Sequence, residues 1–179
     1  MTNPVLQAKH WQIFLLLAAP TVLSWFVRDE LVSDVLALLT SGLVLIWLGL
    51  LGNSLYLEDG PRYKFNVAWF LFDVVVVLVA LAVSLLLASD DFHVTGTSIK
   101  AKGWAMLPML YVLFARWHTV WLPAALLVAI EQKRRPSLGE YTIPFLLLAN
   151  WPIGIWFIQP RINRLYAARQ ADSPEYSRS

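Results

Sequence analysis

Three ionisable side chains sit inside otherwise apolar runs: Asp73 in "NVAWFLFDVVVVLVALAVSLLLA", and Arg116 with His118 in "FARWHTVW". Placing an Asp or Arg in hydrocarbon costs roughly 2.5–3.5 kcal/mol on insertion scales, so each of these groups needs a partner or a purpose. One use is an Asp73–Arg116 ion pair holding two helices in register. A second is a proton or ion pathway through Asp73, Arg116 and His118. The structural alternative is that Arg116 snorkels to the interface while Asp73 bonds a neighbouring Trp or backbone group.

No other constellation carries stronger chemistry. There is no Gly-rich phosphate loop, no His-Glu-x-x-His, no Gly-x-Ser-x-Gly and no pair of intramembrane carboxylates, so no catalytic residue is assigned. The absence of cysteine removes disulfides, thiolate metal sites and cysteine nucleophiles. His10, His93 and His118 fall in separate regions, which argues against a metal or bis-histidine haem site. No cofactor is implied. Gly42, Gly49 and Gly52, with Ser41 and Ser54, form a small-residue stripe suited to helix packing, and Asn53 beside it suits a bond across helices.

The elements that must position these groups are membrane helices. With 58% hydrophobic and 15% charged residues, the chain departs from soluble domains, and the excess apolar residues come in long runs. The runs predict an all-α integral membrane bundle, a single domain over 1–160, with four spans at about 11–27, 32–57, 66–88 and 104–124. The first run has no small-residue cleavage site after it and reads as a retained helix. On this arrangement the third and fourth helices are antiparallel. Arg116 then matches the depth of Asp73 if the fourth helix leaves the hydrocarbon near Leu122.

The segment 138–159 holds Pro144 and Pro152, with Pro160 just after it, and predicts a proline-broken re-entrant or interfacial piece rather than a fifth span. Ser137-Leu-Gly-Glu140 has capping-box spacing, which starts a helix at about 138. Charge favours the re-entrant reading. With a cytoplasmic N-terminus, five spans put six Lys/Arg inside and seven outside, whereas four spans put ten inside and three outside. Both termini are therefore expected in the cytoplasm. Residues 161–179 predict a basic amphipathic helix and a disordered tail.

The stretch 131–165 resembles the C-terminal end of a group of small, uncharacterised bacterial multi-pass membrane proteins, chiefly through "PIGIWFIQPRIN" (152–163), with "KHWQIFLLLAAP" (9–20) matching more loosely. The resemblance implies the bacterial cytoplasmic membrane and carries no activity, cofactor or catalytic residue. Such proteins tend to have lysines where Ala125 and Val128 stand here, so whether 122–130 lies in lipid or water is left open.

The function expected from this reading is non-enzymatic: a structural or accessory subunit packing against itself or a partner membrane protein. A small transporter or channel using Asp73, Arg116 and His118 is the alternative, and a lipid-acting enzyme a further one. The lipid bilayer is the expected partner, with anionic headgroups meeting Lys133, Arg134, Arg135, Arg161, Arg164 and Arg169. A net charge of +2 gives no ground for nucleic-acid binding.

Overall fold

The computed structural model describes residues 4–87, 92–94 and 99–172. Among these are seven α-helices: α1 (Pro4–Gln7), α2 (His10–Ser24), α3 (Glu30–Asp59), α4 (Val67–Leu87), α5 (Met106–Gln132), α6 (Leu138–Ala149) and α7 (Trp151–Asp172). A two-stranded antiparallel hairpin, β1 (Phe92–Val94) and β2 (Ile99–Ala101), joins α4 to α5, with His93 opposite Lys100. The expected tail beyond residue 172 lies outside the described residues.

Three helical segments are long and apolar enough to cross a membrane: Glu30–Tyr63, Val67–Leu86 and Gly103–Gln132. This is one fewer than the four expected. The difference is α2, which ends at Ser24 after 15 residues. At 1.5 Å per residue it reaches about 22 Å, short of a hydrocarbon core of about 30 Å. Its final turn tightens: the Trp25 N–H donates to Val22 O and the Phe26 N–H to Leu23 O. The next helix is already prepared, because the Asp29 carboxylate caps α3 by accepting from the Val32 N–H at 3.0 Å. Pro20 stays inside α2 without ending it.

Helices α3, α4 and α5 form the centre. α4 packs antiparallel to both α3 and α5, and small residues set the approach. A Cβ on Gly52 would stand 2.6 Å from the Phe70 ring and 3.2 Å from Pro123, so only glycine fits where the three helices meet. Gly49 faces Val74, where a Cβ would come to 3.3 Å, while at Gly42 it would meet nothing nearer than Leu78 at 4.0 Å. Asn53 is half-buried beside this crossing.

The expected fourth span, 104–124, continues as one helix to Gln132. Its nine residues Leu122–Ile130 are all buried. They share a core with Leu6 of α1, Leu55 of α3, Leu148 of α6 and Ile155, Ile158 and Ile162 of α7. The stretch therefore lies in neither lipid nor water but in protein.

The C-terminal segment breaks at Asn150 (φ −101°, ψ 65°) and not at a proline. Pro144 lies inside α6, Pro152 is the second residue of α7, where no N–H is required, and Pro160 lies inside α7. The chain reverses at Asn150, and α7 packs back against α6. It then runs unbroken to Asp172, so no separate amphipathic helix begins at 161: Ile162 and Tyr166 are buried in the core. Gly154 permits the reversal, because a Cβ there would fall 1.8 Å from the Leu147 carbonyl oxygen.

The basic residues sort to one end. Arg62 and Lys64 follow α3, and Lys133, Arg134 and Arg135 follow α5. Arg161 and Arg169 of α7 reach that end by pairing with Glu131 and Asp59, and Lys9 adjoins Ala8, whose carbonyl Gln159 and Asn163 bind. Arg28 and the hairpin's Lys100 lie at the opposite end, where α3 and α5 begin.

These close approaches rank three glycines. Gly154→Ala must push backbone against backbone and is expected to cost at least the roughly 1–3 kcal/mol of ordinary overpacking. Gly52→Ala should cost less because the Phe70 ring can shift, and Gly42→Ala should be nearly neutral. Thermal unfolding of the three variants in one detergent checks the order.

Candidate functional site

Helix α4 presents Asp73 as its seventh residue, fully buried, toward α5. There Tyr111 and His118, seven residues and two turns apart, share one face. The Tyr111 hydroxyl donates to Asp73 Oδ1 at 2.6 Å, and His118 Nδ1 lies 2.5 Å from Oδ2. With the carboxylate ionised, Nδ1 carries the proton, because an ionised carboxylate only accepts. A hydrogen bond to a charged group contributes about 1.5–3 kcal/mol, so two of them are enough to offset the insertion cost of Asp73. His118 is held between Phe114 (centroids 5.7 Å, planes at 12°) and Trp121 (5.3 Å, 23°), with the edge of Phe70 at 6.4 Å. Asp73, Tyr111 and His118 thus make a closed polar clamp between two helices inside an aromatic sleeve.

Asp73 therefore meets Tyr111 and His118 where the sequence suggested Arg116. Helical geometry explains the choice: residues two apart lie about 200° apart around the axis, so Arg116 and His118 leave α5 on nearly opposite sides. Arg116 lines a cavity of 420 Å³ between α2, α3, α5 and the tip of the α6–α7 hairpin. Thr21, Thr40, Ser41 and Thr119 put hydroxyls on its wall, Leu45, Leu48 and Leu148 give it apolar surface, and Trp117 and Trp151 complete it. Thr21 and Thr40 bond each other across α2 and α3 at 2.9 Å. Ser41 and Thr119 donate to carbonyls of their own helices, Ala37 O and Arg116 O. Arg116 is the one charged residue in the described lining.

The motif that carried the resemblance turns out to be a set of joints. Trp156 packs on His10 (4.8 Å) and Phe14 (5.6 Å), bringing the two resembling stretches into contact. Gln159, fully buried, donates to Val5 O at 2.9 Å and Ala8 O at 3.1 Å, and Asn163 also donates to Ala8 O. These bonds satisfy carbonyls at the end of the single-turn α1. Arg161 grips Glu131 with two bonds, locking α7 to the end of α5.

Several cations expected at headgroups are engaged within the fold. Arg134 pairs with Glu140, Arg161 with Glu131, and Arg169 with Asp59 at 3.0 Å and Glu58 at 3.9 Å. The Arg135 guanidinium stands 5.5 Å over the Phe65 ring. Arg164 is exposed and donates to Pro160 O, and Lys133 closes α5 in a left-handed conformation (φ 55°). Among the described residues no three His, Cys, Asp or Glu gather as a metal site. The sequence reading gave no role to Tyr111, whose signal was its two-turn spacing from His118, and none of their own to Glu131, Gly154 and Gln159, which lie in the stretch that carried the resemblance.

Family models, curated proteins and solved structures were all compared with the chain, and none matches it.

Two measurements follow. Removing both Asp73 and Tyr111 functions (Asp73→Asn with Tyr111→Phe) should cost less than the two single losses added, by about 1 kcal/mol of coupling, read from unfolding in a double-mutant cycle. The second concerns Glu140, whose carboxyl is held below its ordinary 4.5 by the Ser137 N–H at 2.6 Å and by Arg134. A depressed folded pKa adds stability that is present above the unfolded value and is lost as pH falls through the folded one. The difference in melting temperature between wild type and Glu140→Gln should hold constant above pH 5 or so and shrink below it.

Proposed function

We propose that this is a multi-pass membrane protein that binds an anionic ligand within the membrane and takes part in its passage, without chemical conversion. In this reading α3, α4 and α5 cross fully. The α6–α7 hairpin enters and leaves on one side, and the basic end faces the cytoplasm. The single observation behind it is the 420 Å³ cavity that Arg116 shares with four hydroxyl side chains at the hairpin tip. Helices that stop partway across a bilayer, with irregular backbone lining a cavity, are how membrane proteins commonly build solute sites. The one cation in the described lining sets the sign of the guest. Each hydroxyl now bonded within the fold is a rotor that can donate to it. The clamp of Asp73, Tyr111 and His118, closed on itself, holds α5 in place behind Arg116.

A second reading, the packing subunit, is favoured by a separate feature. An apolar groove of 230 Å³ runs along α3 and α4 past Gly42, lined by Leu38, Leu39, Ile46 and Leu85, where another membrane helix would fit.

Because the chain lacks cysteine, single cysteines report its sidedness directly. Lys9→Cys, Ser137→Cys and Arg164→Cys should react with an impermeant maleimide only from the cytoplasmic side, and Lys102→Cys only from the other; Arg164 on the far side would remove the hairpin reading. For the ligand, purified protein is heated with acetate, phosphate or decanoate. At least one should raise the melting temperature of the wild type and leave Arg116→Gln unchanged. If none does, the anion site is wrong.

A further inference from the structure

The shape of the Arg116 cavity narrows the guest further, in a step that rests on the anion-site reading above. At 420 Å³ the cavity falls in the range of about 300–1,000 Å³ typical of organic ligands, far more than a bare inorganic anion fills. Its polar groups are grouped: Thr21 and Thr40 pair across two helices, and Ser41 follows one residue on. Val44, Leu45, Leu48 and Leu148 supply a continuous apolar wall that a small hydrated ion would leave facing water, against the preference of apolar surface.

The flank is also uncovered. α2 ends three residues past Thr21, whereas α3 extends ten residues before Thr40, back to Glu30. On α5 the same uncovered side presents Met106, Leu110 and Leu113, all exposed and in one helical stripe with Trp117 of the cavity wall. At the rim, Trp117 is 50% exposed. Such a surface meets acyl chains on a membrane helix. A guest entering from this side would keep its tail in hydrocarbon while its head reached the guanidinium.

We propose that the Arg116 cavity takes an acyl-chain anion from the bilayer, its carboxylate or phosphate head bound by Arg116 and the Thr21, Thr40 and Ser41 hydroxyls, and its tail lying along the exposed flank of α5. A guanidinium matches either oxyanion with two parallel bonds. A neutral alcohol with the same tail gains the apolar contact and loses that pairing.

The test uses full-length protein in phosphatidylcholine nanodiscs containing diazirine-bearing palmitate, photolysed and mapped by mass spectrometry. Adducts should concentrate on 21–24, 37–48, 106–120 and 148–151. Excess unlabelled palmitate should displace them and hexadecanol should not. Arg116→Gln should lower labelling at these positions at least about tenfold, which the loss of even one of the two charge-assisted hydrogen bonds would produce. The competition between acid and alcohol is read on the wild type, so it decides even where the variant fails to fold. Labelling spread evenly over the exposed helix faces, while acetate or phosphate still stabilises the protein, overturns the acyl-chain assignment and leaves the anion site standing. Displacement by hexadecanol as effective as by palmitate shows that Arg116 reads no charge, and both readings fall.

Discussion

A helix that stops inside a largely apolar bundle must hand its last backbone groups to something other than water, and most of this architecture answers that requirement. α2 tightens its last turn on itself, with the Ser24 hydroxyl returning to Thr21 O at 2.7 Å. α6 ends with the Asn150 N–H on Leu146 O, and Asn150 O in turn accepts from the Ile153 and Gly154 N–H groups that open α7. The two ends are closed economically, but they leave a gap that no helix fills. That gap is the cavity, and the polar residues around it sit where the local backbone has already been arranged to satisfy itself.

The same logic accounts for the other end of the molecule. There α1 is a single turn whose carbonyls would be left stranded. Gln159 and Asn163, one turn apart on α7, accept that task with their amides. Arg161, between them in sequence, faces α5 and grips Glu131. A motif with no catalytic content can therefore be demanding in sequence. It fixes a close backbone crossing at Gly154, an aromatic contact at Trp156, an amide at 159 and a guanidinium at 161, each answering a different neighbour.

What the sequence revealed and what it hid divide along physical lines. Hydrophobic run length located α3, α4 and α5, because helices long and apolar enough to cross a membrane announce themselves by length and composition alone. The capping spacing of Ser137 and Glu140 placed the start of α6 at Leu138. The first span was overcounted because apolar length alone does not reveal where a last turn will tighten. Prolines misled at 138–160: Pro152 sits where a helix tolerates it, and the actual break is at Asn150, a recognised helix-ending residue that the prolines on either side overshadowed. Asp73 was paired with Arg116 because a guanidinium looks like the natural mate of a carboxylate, although His118 stood in the same candidate set. Helix phase, which turns Arg116 away and brings His118 and Tyr111 round, decided otherwise.

The sheathing of Leu122–Ile130 has a consequence for how the chain is made. These nine residues reach their final surroundings only when Ile155, Ile158 and Ile162 arrive, and those belong to α7, which is synthesised after α5. Until then a greasy stub projects from the end of α5. A ribosome stalled short of residue 150 would leave it bare, so a helix made later shields one made earlier.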